Sequence, residues 1–238
     1  MSRFLIPLSI ALSIATNIGA QESSISTTLS ADVVSQYIWR GQECGNISVQ
    51  PTLGIECNGL SLSAWGNVGF DAADTKELDL TLGYSLGKFN IGISDYWFSD
   101  GLDPQSRYFK YKAHCTNHLL EANIGFDFGP LSLQWFTNIA GNDGTCSHGS
   151  RAYSSYFEVN VPFSLATVEW TATAGAVPYS TTFYDVSSFA VVNLSLSATK
   201  AIHVTDTFEI PIFGQISANP RSEKAYFVVG FTIDITHN

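Results

Sequence analysis

Nine carboxylates fall at alternate positions opposite apolar residues: Asp32, Glu56, Asp79, Glu121, Asp127, Glu158, Glu169, Glu209 and Asp234. One basic residue, Arg40, shares their side of the pattern. A ring of carboxylates around a polar lumen favours cations. The plainer alternative is that these acids hydrate a polar face or pair locally across strands, and the sequence leaves both open. Trp65, Asn67, Tyr96, Phe98, Phe136, Tyr156 and Tyr226 fall on the same side. Rings there would narrow a passage, stack on a sugar-like solute, or fill space.

Other chemistry finds less footing. Some barrel lipid hydrolases use serine with histidine, and the base must reach the nucleophile. His118 falls on the apolar side, His114 and His148 lie in or near loops, His203 sits beside an expected turn and His237 is in the tail. None is flanked by a serine-bearing signature, so no catalytic residue is assigned and the expectation is a non-enzyme. No cofactor motif is visible. The pairs Asp71/Asp74 and Asp100/Asp103 lack the regular spacing of a calcium loop. A formal net charge of −10 makes a poor nucleic-acid binder.

The elements that carry these residues are strands. Residues 28–41 alternate, with Leu29, Ala31, Val33, Tyr37 and Trp39 on one face and Thr28, Ser30, Asp32, Gln36 and Arg40 on the other. Val34 and Ile38 are apolar exceptions on the polar face. A period of two is the strand signal. A bilayer-crossing strand needs about 9–11 tilted residues, and aromatics mark the interface. Tyr37 and Trp39 are therefore expected at that interface. An edge strand of a soluble sandwich is the alternative for this stretch alone.

The same pattern recurs in eleven further segments, near 49–56, 60–70, 77–85, 89–98, 118–127, 131–139, 156–163, 167–174, 192–197, 202–215 and 226–234. Their connections alternate in length. Short ones are expected at 58–59, 87–88, 129–130, 164–165 and 200–201, and longer ones at 41–47, 71–76, 99–113, 141–151, 178–187 and 216–223. Short periplasmic turns, longer external loops and an even strand number describe an outer-membrane barrel. The expectation is an all-β, twelve-stranded antiparallel up-and-down transmembrane β-barrel. Leu29, Leu62, Leu80, Ile91, Leu133 and Val229 should face lipid, and the acids should line the lumen.

The opening residues read as an export signal. Arg3 precedes an apolar run over 4–14, and Ile18-Gly19-Ala20 precedes a cleavage site before Gln21. No later run approaches the roughly 18 apolar residues of a spanning helix. Residues 1–20 are thus expected to be a signal peptide and 21–238 one barrel domain, delivered to the bacterial outer membrane. Its expected partners are outer-membrane lipid and small solutes.

Four cysteines in an exported chain permit disulfides. On the up-and-down count, Cys115 and Cys146 lie at neighbouring external ends, whereas Cys57 lies beside the Asn58-Gly59 turn at the opposite end. A disulfide spans only about 4.4–6.8 Å between Cα atoms. Cys115–Cys146 is therefore the expected bridge, with Cys57 free.

Several segments resemble the TorF family of porin-like barrels of Gram-negative outer membranes, whose function is poorly established. The resemblance rests on Asp32-Val33-Val34-Ser35-Gln36-Tyr37-Ile38-Trp39-Arg40-Gly41, Val49-Gln50-Pro51, Trp65-Gly66-Asn67-Val68, and Glu77-Leu78-Asp79-Leu80 with Gly83-Tyr84. It covers mainly the first 90 residues. The chain departs from many outer-membrane barrels by ending in Thr236-His237-Asn238 rather than on an aromatic. The resemblance implies an outer-membrane channel passing small solutes, with no catalytic residues to carry over. A non-conducting binding or structural barrel remains the alternative, and a lipid hydrolase the more distant one.

Overall fold

The computed structural model describes residues 25–71, 74, 76–99, 106–112, 115–205 and 208–235. The expected signal peptide lies outside these residues. Fourteen strands run in order: β1 Ile25–Val34, β2 Tyr37–Trp39, β3 Gln42–Gly45, β4 Ser48–Cys57, β5 Leu60–Gly69, β6 Lys76–Leu86, β7 Phe89–Ser99, β8 His118–Asp127, β9 Ser132–Gly141, β10 Ser155–Leu165, β11 Val168–Val177, β12 Ala190–Thr205, β13 Phe208–Asn219 and β14 Lys224–Asp234. Twelve of them close a barrel in which each strand pairs antiparallel with its sequence neighbours and β1 pairs with both β4 and β14. The remaining two, β2 and β3, form a separate hairpin.

The alternation sorts side chains as expected. Leu29, Leu62, Leu80, Ile91, Leu133 and Val229 all point outward and are exposed. A largely apolar exterior, with no helix among the described residues, fits insertion in a bilayer, where closed barrels satisfy every backbone group. At the end with short turns, Phe89, Phe126 and Phe128 form an edge-to-face run, and Phe163 stacks on Trp170. Such a cluster is the girdle expected where hydrocarbon meets headgroups.

Three local expectations are corrected. The first strand stops at Val34 instead of continuing to residue 41. Ser35 leaves the wall, its N–H donating to the Val229 carbonyl at 2.9 Å. The chain then turns into the lumen as β2 and β3. Arg40 and Gly41 form the two-residue tip, with φ of 50° and 76°. Positive φ at both central residues is the hairpin geometry that matches strand twist. Tyr37 and Trp39 are consequently inside the barrel, not in a lipid-facing belt. Tyr37 packs on the inward Trp65 at 5.5 Å, and Trp39 on Tyr96 and Tyr184.

The second correction concerns the connection expected at 200–201. β12 continues to Thr205, and Thr205 pairs with Phe208. β11 accompanies β12 only to Thr199, and β14 accompanies β13 only to Ile212. The β12–β13 hairpin therefore projects past the rim. No Gly, Pro or Asn breaks 198–205, so nothing local ends the strand there. Third, the β10–β11 turn is at Ala166-Thr167, both at positive φ, two residues beyond the expected place.

A candidate plugged lumen

The hairpin crosses the lumen from wall to wall. Its tip presses on β12, and a Cβ at Gly41 would lie within 2.0 Å of the Val192 carbonyl oxygen. Only glycine accommodates both that approach and the positive φ. Asn219 Nδ2 donates to the Gly41 carbonyl at 3.1 Å from β13. From the same tip, the Arg40 side chain reaches the opposite wall. Nη1 donates to Glu121 Oε2 at 2.6 Å, and Nη2 to Oε1 at 2.9 Å. This two-pronged pairing suits the planar guanidinium. Tyr96 donates its hydroxyl to Glu121 Oε1 at 2.8 Å.

Aromatic rings close around the guanidinium. Its Cζ lies 4.4 Å from the Trp39 ring, 4.0 Å from Phe136 and 4.7 Å from Tyr156. Nη1 also donates to the Tyr184 hydroxyl at 2.9 Å. Tyr184 comes from the long connection after β11, which folds inward with Phe183 and Val186 onto Tyr156 and Val192. Burial pushes the Tyr184 hydroxyl above its ordinary value, the nearby Arg40 charge opposing. That connection is knitted to the one before β10. Thr145 N donates to Thr182 Oγ1 at 2.8 Å, and Thr182 N to the Thr145 carbonyl at 3.0 Å.

A second contact holds the base of the hairpin. Ile38 packs on Val34, Phe213 and Val228, three apolar side chains on the inner wall. Below the hairpin a cavity of about 110 Å³ remains. Its wall is rich in hydroxyls and amides, including Thr171, Thr173, Ser195, Ser197 and Gln215.

A profile described as a bacterial protein of unknown function, Gcw_chp, matches residues 20–211. The chain belongs to the Gcw_chp family. No curated protein matches it. Among solved structures, one from "Unveiling the Mechanism Behind the in-meso Crystallization of Membrane Proteins" aligns at 7% identity with a TM-score of 0.40. That alignment covers 89% of this chain and 83% of the other. The family assignment brings no function with it, so the chemistry of this Gcw_chp chain is read from its own residues.

The acids do not form one ring. Glu121 is engaged by Arg40 and Tyr96. Glu158 takes the Tyr156 hydroxyl on Oε2 at 2.9 Å and the Asn160 amide on Oε1 at 3.0 Å. Asp32 takes the Thr232 hydroxyl at 2.6 Å. Asp79 is buried opposite Trp65 on β5, and Asn67 is buried beside Gln50, which donates to it at 3.0 Å. Glu56 and Glu169 are half-buried near the short turns, where Ser164 donates to Glu169. Glu209 sits on the projecting hairpin, paired with His203 at 2.6 Å and largely exposed. The carboxylates are thus distributed along the barrel, several with partners of their own.

The histidine on the outer wall is enclosed. His118 Nδ1 meets Asp95 Oδ1 at 2.8 Å, and Nε2 meets the Tyr108 carbonyl at 2.5 Å. Tyr111 stacks on the ring at 3.9 Å. Both ring nitrogens are occupied, and no serine joins them.

The expected disulfide is not formed: Cys44, Cys57, Cys115 and Cys146 are all free. Cys146 lies in its own tight turn, N–H bonded to the Ser150 carbonyl at 2.9 Å, with Sγ 3.1 Å from Ser150 Oγ. The Ser150 hydroxyl and the His148 backbone stabilise its thiolate and lower the thiol to about 7.

Sequence reasoning missed Val34, Phe213, Val228 and Tyr184 as parts of the plug. The signal was present in the apolar exceptions on the inner face. A side chain of that kind needs an apolar partner inside the lumen.

Proposed function

We propose that this protein is an outer-membrane channel for small solutes, closed in this conformation by the β2–β3 hairpin. The observation that carries the reading is a polar cavity continuing beneath a plug pinned by one ion pair. Twelve strands lie between the eight that side chains fill and the sixteen that leave an open pore. A narrow lumen needing an inserted plug suits that size. With short turns periplasmic and long loops external, the plug enters from outside. The cleaved leader over 1–20 would deliver the chain to that membrane. Inward carboxylates outnumber Arg40, so the lumen disfavours anions and prefers cations or neutral solutes. No catalytic step is part of this reading.

A non-conducting structural or binding barrel is the second reading, favoured by the knitted outer loops. Planar-bilayer recording separates the two. Wild-type protein should give small, cation-preferring steps, and Glu121→Gln should lengthen the open times by freeing Arg40. Silence from both proteins, with boiling still shifting gel mobility, refutes the channel and favours the second reading.

A further inference from the structure

The charged groups around the cavity each have at least one partner. Glu158 has a donor on each oxygen, Asp32 has Thr232, and Arg40 is turned to Glu121 on the far wall. Most of the other groups that face the space are uncharged. Thr171, Ser197 and Gln215 stand in register across β11, β12 and β13, and Thr173 is in register with Ser195 one step further along. These are rows of hydroxyl and amide groups spaced by adjacent strands, about 4.7–4.9 Å apart. Among the described residues, the side chains of Thr171, Ser195 and Gln215 make no hydrogen bond with another side chain.

The remaining boundary is aromatic. Trp39 from the hairpin and Trp65 from β5 both line the cavity. Trp65 is 7% exposed, so its ring is held rigidly at that boundary.

We infer that this cavity binds small, neutral, polyhydroxylated solutes, the class of polyols and monosaccharides. The inference names what the proposed channel would pass and rests on that reading. Such a solute carries hydroxyls that both donate and accept, matching a wall of Ser, Thr and Gln. Its C–H faces pack on flat rings. It brings no charge, and most of the wall that it would meet is uncharged. An anion would meet Asp32 and Glu158, and a cation at Glu158 would have to displace the donors on both of its oxygens.

The test uses the full chain purified in detergent, with intrinsic tryptophan fluorescence as the readout. Glycerol, xylitol and glucose are the neutral probes, and gluconate and glucosamine the charged ones. Saturable quenching by xylitol or glucose, stronger than by either charged analogue, is expected. Thr171→Val combined with Gln215→Leu should weaken it about tenfold or more. Thr81→Val, on the opposite wall where Thr81 meets only Ser94, should leave it unchanged. Heat-modifiable mobility checks that each variant is a folded barrel. No saturation by neutral probes, or tighter binding of gluconate or glucosamine, overturns the inference. Saturation in detergent without bilayer current supports the site and refutes the channel. Current without saturation refutes the site and leaves the channel standing.

Discussion

Replacing Glu121 with Gln removes the charge opposite Arg40 while preserving shape. Both side chains are almost fully enclosed, 5% and 2% exposed. Removing one partner of a buried pair typically costs about 3–5 kcal/mol, because the other charge is left uncompensated. Here the guanidinium keeps the Tyr184 hydroxyl and three rings, and each ring contact contributes about 0.5–1 kcal/mol or more. Those terms are common to both proteins, and a Gln carbonyl can still accept one hydrogen bond. A loss near the low end, about 3 kcal/mol, is expected. At 1.4 kcal/mol per decade, this makes undocking of the hairpin roughly a hundredfold more frequent. Cys44, half-buried in β3, is a native reporter. With Cys57, Cys115 and Cys146 changed to Ser, maleimide labelling of Cys44 should accelerate by about two decades in Glu121→Gln. The double variant Arg40→Met/Glu121→Leu buries no charge, and its labelling should return to within about a decade of the parent. Equal labelling of parent and Glu121→Gln, or a double variant as fast as the single, would refute the claim that the ion pair pins the plug.

Two further outcomes follow from the facing and the loops. Arginine at Leu80, outward at mid-strand, should cost about 2–4 kcal/mol in vesicle refolding, whereas arginine at inward Thr81 should cost much less; equal tolerance would rule out the assigned faces. The Cys146 thiol is lowered, so its thiolate is depleted as pH falls below about 7 and dominates above it. Iodoacetamide modification of Cys146 should therefore rise through that pH, and Ser150→Ala should move the midpoint upward; an unmoved midpoint would mean that the Ser150 hydroxyl does not stabilise the thiolate.

The barrel was legible because each strand must separate lipid from lumen residue by residue, and this imposes a period of two on the sequence. The plug was not legible for the opposite reason. Arg40 finds Glu121 81 positions away and Tyr184 144 positions away, and nothing local encodes such meetings. Tyr37 and Trp39 keep the outward parity of β1, so the alternation runs past the end of the strand at Val34. The interruption lay in Ser35-Gln36 and in an Arg-Gly tip, where arginine is an unusual occupant of positive φ. The β12 turn was misplaced because Lys200-Ala201 interrupts the apolar alternation without supplying turn chemistry. Aromatic parity identified Tyr96, Phe136 and Tyr156 as inward, but their service as a cradle for a guanidinium required the hairpin to be seen.

The closing seam of the barrel has a bearing on assembly. β1 meets β14 through five paired positions, Ser30 to Val34, whereas it meets β4 through ten. Since β1 and β14 are far apart in sequence, that joint can form only after β14 is synthesised and delivered. The hairpin leaves β1 at this joint, where Ser35 exchanges hydrogen bonds with Val229 of β14 and Ile38 rests on Val228. Closure of the wall therefore completes the surface on which the base of the hairpin rests. A chain halted before β14 would have neither a sealed wall nor the Val228 side of the floor on which its stopper is seated.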